Sequence, residues 1–150
     1  MKFRLFVLAA LVAATSVIAG ASASASSKKP SGALIQLRST HKGKILVDSH
    51  GYTLYGFGPD KKNKDVCAAI PQCLSLWPAV TTNGKPQAGK GVNAHLLGTI
   101  KLGRKLQVTY NGHPLYTYVQ DTRPGETDNI NIDQFGGPWP AVNAAGKLVK

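Results

Sequence analysis

A tandem duplication limits how this chain can fold more than any other feature of its sequence. Residues 51–60, GYTLYGFGPD, are matched by residues 112–121, GHPLYTYVQD, at an offset of 61. The stretch Trp-Pro-Ala-Val then occurs at 77–80 and again at 139–142, an offset of 62. Because two separate stretches recur in the same order at nearly the same offset, the chain carries two copies of one unit.

Each copy, at about residues 44–80 and 105–142, is too short to bury a large core of its own. We therefore expect the copies to pack against each other around an approximate twofold axis and to share one core. The predicted fold is mainly β: a small, compact, sheet-like or barrel-like domain over residues 33–150 with at most one short helix.

Short apolar runs separated by Gly, Asn and Asp indicate strands rather than long helices. Asn111-Gly112 lies between two such runs and predicts a two-residue hairpin turn, because both residues tolerate a positive φ. The one helical candidate lies at 68–76, where Pro71 limits it to about two turns. The predicted strands cover residues 33–37, 44–47, 52–57, 97–101, 105–110, 114–119, 141–142 and 148–149.

Residues 1–25 have the features of a secretory signal peptide. Lys2 and Arg4 precede an uncharged, mostly apolar stretch from Leu5 to Ala19, and small residues follow it. The apolar stretch is shorter than the roughly 20 residues of a membrane-spanning helix, so we expect no transmembrane segment in the mature chain. Residues 26–32 are predicted to be a flexible leader. The protein is therefore expected to be secreted, or periplasmic and associated with the cell envelope.

The chain is strongly basic, with 18 Lys and Arg residues against seven Asp and Glu and a formal net charge of +11. The predicted signal carries two of the basic residues and no acid, so the mature chain keeps a charge of +9. Such a charge favours an anionic partner, either an envelope polymer or another envelope protein. Export argues against nucleic acid.

Cys67 and Cys73 are the two cysteines of the chain. Outside the cytoplasm, a pair this close predicts a structural disulfide. Their spacing lacks the Cys-x-x-Cys-His of haem attachment and the Cys-x-x-Cys of thioredoxin-like sites. No two of the four histidines have the spacing of a metal site on one strand or helix, so no metal or other cofactor is predicted.

Both copies contain a tyrosine, a second aromatic residue, an aspartate and a downstream tryptophan. The aspartates either cap turns at strand ends or come together as a carboxyl pair for acid–base chemistry or cation binding. The aromatic side chains either pack in the core or form an exposed platform for sugar rings. Structural roles are favoured, because a fold-building residue must recur in each copy whereas a catalytic one need not. The eight motif residues are Tyr55, Phe57, Asp60, Trp77, Tyr116, Tyr118, Asp121 and Trp139.

This pattern resembles the secreted repeat family of bacterial lipoproteins that is described by its Yx(FWY)xxD, or Y-x4-D, motif. The similarity runs from about Ala33 to Lys147 and includes the cysteine pair before Trp77-Pro78. The resemblance implies an extracytoplasmic protein of uncharacterised function. The chain departs from the family in three ways: it lacks a lipid-attachment cysteine, its cysteine loop is longer than usual, and Ala79 stands where a second proline is common.

Three functions are compatible with these features. A non-catalytic binding module of the cell envelope is preferred, because the sequence contains no nucleophile elbow, phosphate loop or zinc signature. A redox or metal-binding accessory protein of the envelope would depend on Cys67 and Cys73. A carbohydrate-active hydrolase would use Asp60 and Asp121 as its carboxyl pair.

Overall fold

A computed structural model of the protein describes residues 31–150, so the predicted signal peptide and most of the predicted leader lie outside the described residues. The described part is mainly β, as the sequence predicts, and its longest helix has four residues. Two 3₁₀ turns, Cys67–Ala69 and Ala94–Leu96, accompany that helix, α1 (Cys73–Leu76). The strands are β1 (Leu34–Thr40), β2 (Gly43–Val47), β3 (Thr81–Thr82), β4 (Gln87–Ala88), β5 (Leu97–Leu102), β6 (Lys105–Tyr110), β7 (His113–Pro114), β8 (Asp133–Gln134), β9 (Gly137–Pro138), β10 (Ala141–Val142) and β11 (Leu148–Val149).

The strands form two main sheets and two small hairpins. In the first sheet β1 pairs antiparallel with β2, with Gln36 opposite Val47, and parallel with β4. In the second sheet β6 pairs antiparallel with β3, β5 and β7. The hairpins are β8–β9 and β10–β11. β2 and β6 occupy equivalent places in the two copies, so each main sheet contains one of them, β2 at an edge and β6 in the middle.

Local sequence signals predict several elements well. The turn after β6 is left-handed at both central residues, with φ 50° at Asn111 and 80° at Gly112, as a two-residue hairpin requires. The bounds of β6, β10 and β11 agree with the prediction. Pro71 divides the predicted helical segment into a 3₁₀ turn before it and α1 after it.

The two segments that carry the tyrosine motif are not the continuous strands predicted at 52–57 and 114–119. They form mostly isolated bridges instead. The backbone N–H of Tyr55 donates to the carbonyl of Tyr116, whereas the next N–H along the chain donates to Pro140. Because neighbouring residues bond to different segments, no regular ladder forms with either one.

The two repeats are interleaved by backbone hydrogen bonds that follow the pseudo-twofold axis. Tyr55 and Tyr116 each donate an N–H to the other's carbonyl, at 2.9 and 3.0 Å. Each motif segment is also bonded to the Trp-Pro segment of the other repeat. From repeat one, the N–H of Gly56 donates to Pro140 O and that of Gly58 donates to Pro138 O, both at 2.9 Å. From repeat two, the N–H of Thr117 donates to Pro78 O at 2.9 Å and that of Val119 donates to Leu76 O at 3.1 Å.

The interior has an aliphatic part and an aromatic part. The aliphatic part contains Leu46 and Leu54 from repeat one and Val108 and Leu115 from repeat two, all fully buried. The aromatic part contains the motif's tyrosines and tryptophans together with Cys67 and Cys73. Both parts draw on both repeats, so residues of one copy fill space left by the other.

Candidate functional site

Four aromatic rings, two from each repeat, form one stack. Trp77 and Trp139 lie nearly parallel at its centre, with ring centroids 4.0 Å apart and an interplanar angle of 4°. Tyr118 stacks on Trp77 at 4.0 Å, and Phe57 stacks on Trp139 at 4.2 Å. Because each outer ring comes from the repeat that does not supply the adjacent indole, the stack joins the two copies.

The motif's aromatic rings are buried and do not form an exposed platform. Both indoles are 0% exposed. Tyr55 meets the edge of Trp77 at 5.1 Å, and Tyr116 meets Trp139 in the same way at 5.2 Å. This T-shaped contact suits the ring quadrupoles, and the buried rings form part of the hydrophobic core.

Gln134, which no sequence motif indicates, accepts hydrogen bonds from both indole N–H groups. Trp77 Nε1 donates to the side-chain oxygen of Gln134 at 2.8 Å, and Trp139 Nε1 donates to its backbone oxygen at 3.1 Å. A buried indole N–H without an acceptor would be costly. One residue of the β8–β9 hairpin therefore provides the hydrogen-bond acceptors for both indoles at the centre of the stack.

The tyrosine and aspartate of each motif pair with those of the other repeat. The hydroxyl of Tyr116 donates to Asp60 Oδ2 at 2.8 Å. The hydroxyl of Tyr55 lies 3.2 and 3.1 Å from the two carboxylate oxygens of Asp121. The four residues thus form two crossed tyrosine–aspartate contacts, each of which joins the tyrosine of one repeat to the aspartate of the other.

Each aspartate also holds the loop that follows it. Asp60 Oδ1 accepts the backbone N–H of Val66 at 2.7 Å. Asp121 Oδ1 accepts the side-chain amide of Asn129 at 2.8 Å. Both carboxylates are therefore engaged on two sides, by a tyrosine of the other repeat and by their own loop.

Partial burial changes the ionisation of these groups. Desolvation raises the pKa of Asp60 to about 6, although the hydrogen bonds from Val66 and Tyr116 oppose the rise. Desolvation likewise raises the pKa of Asp121. Burial and the neighbouring carboxylates also raise the pKa of Tyr55 and of Tyr116, so both hydroxyls remain donors.

A second acid follows each aspartate by five residues, Asp65 in repeat one and Glu126 in repeat two, again at an offset of 61. The charge of Asp65 contributes to the raised pKa of Asp60. Glu126 Oε2 accepts the backbone N–H of Thr122 at 2.8 Å. The sequence contained this signal, because extending the duplicated motif by five residues finds both acids.

The predicted disulfide between Cys67 and Cys73 is present, and both residues are fully buried against the aromatic part of the core. Within residues 31–150, no group of three or more His, Cys, Asp and Glu side chains is arranged to hold a metal ion. The acids of the crossed contacts are already used by tyrosines, amides and backbone N–H groups.

Comparison with known proteins identifies the two halves. The chain matches Lipoprotein_15, described as a secreted repeat of unknown function, once over residues 37–81 and again over 99–143. The chain belongs to this family. The resemblance inferred from the Y-x4-D motif is thereby confirmed, and each Lipoprotein_15 match covers one repeat. No curated protein and no solved structure matches the chain. Among residues 31–150, no helix has the length and apolar character needed to cross a membrane.

Proposed function

We propose that this secreted protein is a non-catalytic module that binds an anionic polymer of the cell envelope through its lysines. The aspartates, tyrosines and tryptophans of the duplicated motif are occupied with one another in the interior. On this proposal they build the fold, and the basic surface makes the contact with the ligand.

The state of the lysines is the observation that carries the proposal. Residues 31–150 contain eleven lysines, and all of them are exposed. In this part of the chain no lysine forms a salt bridge. The two ion pairs found there are Arg123 with Asp128, at 2.9 Å, and the longer contact of His50 with Asp48. The lysine charges are thus free for an external anion.

The acids, by contrast, are largely used by the fold. Asp48 accepts the backbone N–H groups of His50 and Tyr52 at 2.8 and 3.0 Å, and Asp65 accepts that of Ala68 at 2.7 Å. Asp60 and Asp121 hold the crossed contacts. This partition of charge leaves the solvent-facing side chains with an excess of positive charge.

The other two functions have less support from the geometry. A dithiol–disulfide catalyst needs a sulfur that a partner can reach, and both cysteines are fully buried. A glycosidase needs two carboxyl groups facing one sugar, whereas Asp60 and Asp121 each accept a different tyrosine hydroxyl.

Binding to an immobilised carboxylate polysaccharide, polygalacturonate, tests the proposal, with dextran as the uncharged control. We expect retention on polygalacturonate that weakens by about tenfold or more between roughly 50 and 300 mM salt, because screening shortens the reach of exposed charges. A variant with Lys61, Lys62 and Lys64 changed to Gln should bind more weakly, and the matched change to Arg should not. Absent binding at low salt, or binding that salt does not weaken, would overturn the proposal.

A further inference from the structure

An uncharged groove of about 440 Å³ lies across the two repeats. Repeat one supplies Gln72, Ser75 and Leu76, at and just before α1, and repeat two supplies Phe135, in the turn between β8 and β9. The volume falls in the range of small-molecule sites, roughly 300–1,000 Å³. The lining combines an aromatic ring, an aliphatic side chain, an amide and a hydroxyl.

The stretches of chain that line the groove carry little charge. Residues 66–84, which contain its repeat-one lining, include no charged side chain. Residues 129–146, which contain its repeat-two lining, include only Asp133. On a chain with a net charge of +11, these neutral stretches indicate a ligand group that carries no charge.

The backbone is strained at two of the lining residues. Five non-glycine residues of the described chain have a positive φ, and three of them, at 63, 111 and 131, are asparagines, which adopt this conformation readily. The other two are Gln72 and Phe135, with φ of 63° and 57°, and both line the groove. At Phe135 the two-residue turn between β8 and β9 requires the positive φ, since Gly136 follows with φ 90°. A residue of this size stays in that conformation only where its surroundings fix it.

The walls of the groove are held by the core. Phe135 follows Gln134, whose two oxygens accept both indole N–H groups, and α1 begins at the disulfide-bonded Cys73. The backbone of Leu76 accepts the N–H of Val119, at 3.1 Å.

We propose that this groove binds an uncharged sugar ring. The C–H face of a pyranose suits the ring of Phe135 and the side chain of Leu76, and its hydroxyls suit the amide of Gln72 and the hydroxyl of Ser75. The site contains no lysine, so it does not depend on the charge-based function proposed above.

Titration of the secreted chain with two neutral trisaccharides, tri-N-acetylchitotriose and cellotriose, tests the site. Amide chemical shifts should change at residues 72–76 and 134–136 for at least one sugar. At about 300 mM salt the binding should persist, because no charge is involved. Phe135→Leu should weaken it by about tenfold or more. Tyr52→Leu, a half-buried aromatic that does not line the groove, is the matched control.

A second pair of variants keeps the test independent of any effect on folding. Ser75→Lys places a long charged side chain in the groove and should abolish binding, while Ser49→Lys makes the same change in the exposed turn after β2 and should not. No shift with either sugar, shifts confined to other residues, or equal affinity in Phe135→Leu would each overturn the proposal. Because salt-dependent polygalacturonate binding is measured separately, failure of one proposal leaves the other standing.

Discussion

A hydroxyl and a carboxylate that leave water together must satisfy each other, and the Y-x4-D motif supplies one of each in every repeat. The tyrosine lies in the interior and its own aspartate lies at the turn that ends the segment. The aspartate therefore meets the tyrosine that the pseudo-twofold axis brings from the other repeat. Tyr116 with Asp60 and Tyr55 with Asp121 are the two results.

Removing one hydroxyl should destabilise the fold without a change of shape. Tyr116→Phe leaves Asp60, in a partly buried position, with backbone donors from its own loop alone. We expect a loss of about 1–3 kcal/mol in the free energy of unfolding, measured by urea denaturation. The effect of Tyr55→Phe should be smaller, because the hydroxyl of Tyr55 lies farther from its carboxylate, at 3.1–3.2 Å.

Tyr52→Phe is the control for this prediction. Tyr52 is half-buried, and no hydrogen bond of its hydroxyl is found within residues 31–150. Its loss should change the free energy of unfolding by about 0.5 kcal/mol or less. If Tyr116→Phe and Tyr52→Phe have equal effects, the crossed contact contributes nothing and its role in the motif is refuted.

Ionisation of Asp60 should make stability depend on pH. The pKa of this carboxyl rises from 3.8 to about 6 because of burial, with Asp65 adding to the rise. The folded protein therefore keeps a proton that the unfolded chain has lost. The resulting stabilisation is full below about pH 4 and disappears as the pH rises through about 6.

Thermal unfolding at pH 5 and 7.5 measures this contribution when the wild type is compared with Asp60→Asn. When the pH is lowered from 7.5 to 5, the Tm of the wild type should rise more, or fall less, than the Tm of the variant. The difference should be roughly 2–4 °C for a partly screened carboxyl. Burial lowers the pKa of His113, so this residue favours stability at higher pH. Its contribution is the same in the wild type and in the variant, and it cancels from the comparison. Identical pH profiles would contradict the assignment.

At the scale of elements, the sequence predicts turns and strands that depend on neighbouring residues, but it does not predict the hydrogen bonds between segments far apart in the chain. Asn111-Gly112 and β6 follow from turn chemistry and alternation within a few residues. The composition of the two motif segments is typical of strands and predicts strands there. Their hydrogen bonds alternate between partners that lie far along the chain, which composition does not encode.

The crossing of the motif contacts was equally invisible from one sequence. Tyr-x4-Asp spacing is compatible with a contact inside one copy or between copies, and only the packing of the two repeats decides between these. Gln134 was missed for the same reason, since its role depends on two tryptophans that lie side by side only in the fold. The acids Asp65 and Glu126 were within reach of the sequence, because they repeat at the same offset as the motif.

The disulfide acts at the scale of elements, because it links the 3₁₀ turn Cys67–Ala69 to the first residue of α1 across a sequence separation of six. A loop this short restricts the unfolded chain only modestly. Replacing both cysteines by serine should lower the free energy of unfolding by about 2 kcal/mol or somewhat more, since two buried hydroxyls are introduced. Denaturant curves of the oxidised protein and the double variant measure the difference. A loss below about 0.5 kcal/mol would show that the bond is dispensable.

At the scale of the whole molecule, the interleaved bonds mean that neither repeat holds a complete core. The motif segment of repeat one bonds to Pro138 and Pro140, and that of repeat two bonds to Leu76 and Pro78. The paired indoles come from different repeats as well. Separation of the copies would expose both tryptophans and leave two carboxylates without their tyrosines.

We therefore expect the repeats to fold as one cooperative unit, and splitting the chain tests this. The exposed Lys90–Gly91 bond lies between the two family matches, so a cut there divides the repeats without breaking either. Fragments 31–90 and 91–150 should each lack the near-ultraviolet circular dichroism of packed tryptophans, because the ring stack needs both. An equimolar mixture should recover that signal, and the intact chain should melt in a single transition. A folded, tryptophan-ordered single fragment, or two separate transitions in the intact chain, would show that the copies are independent.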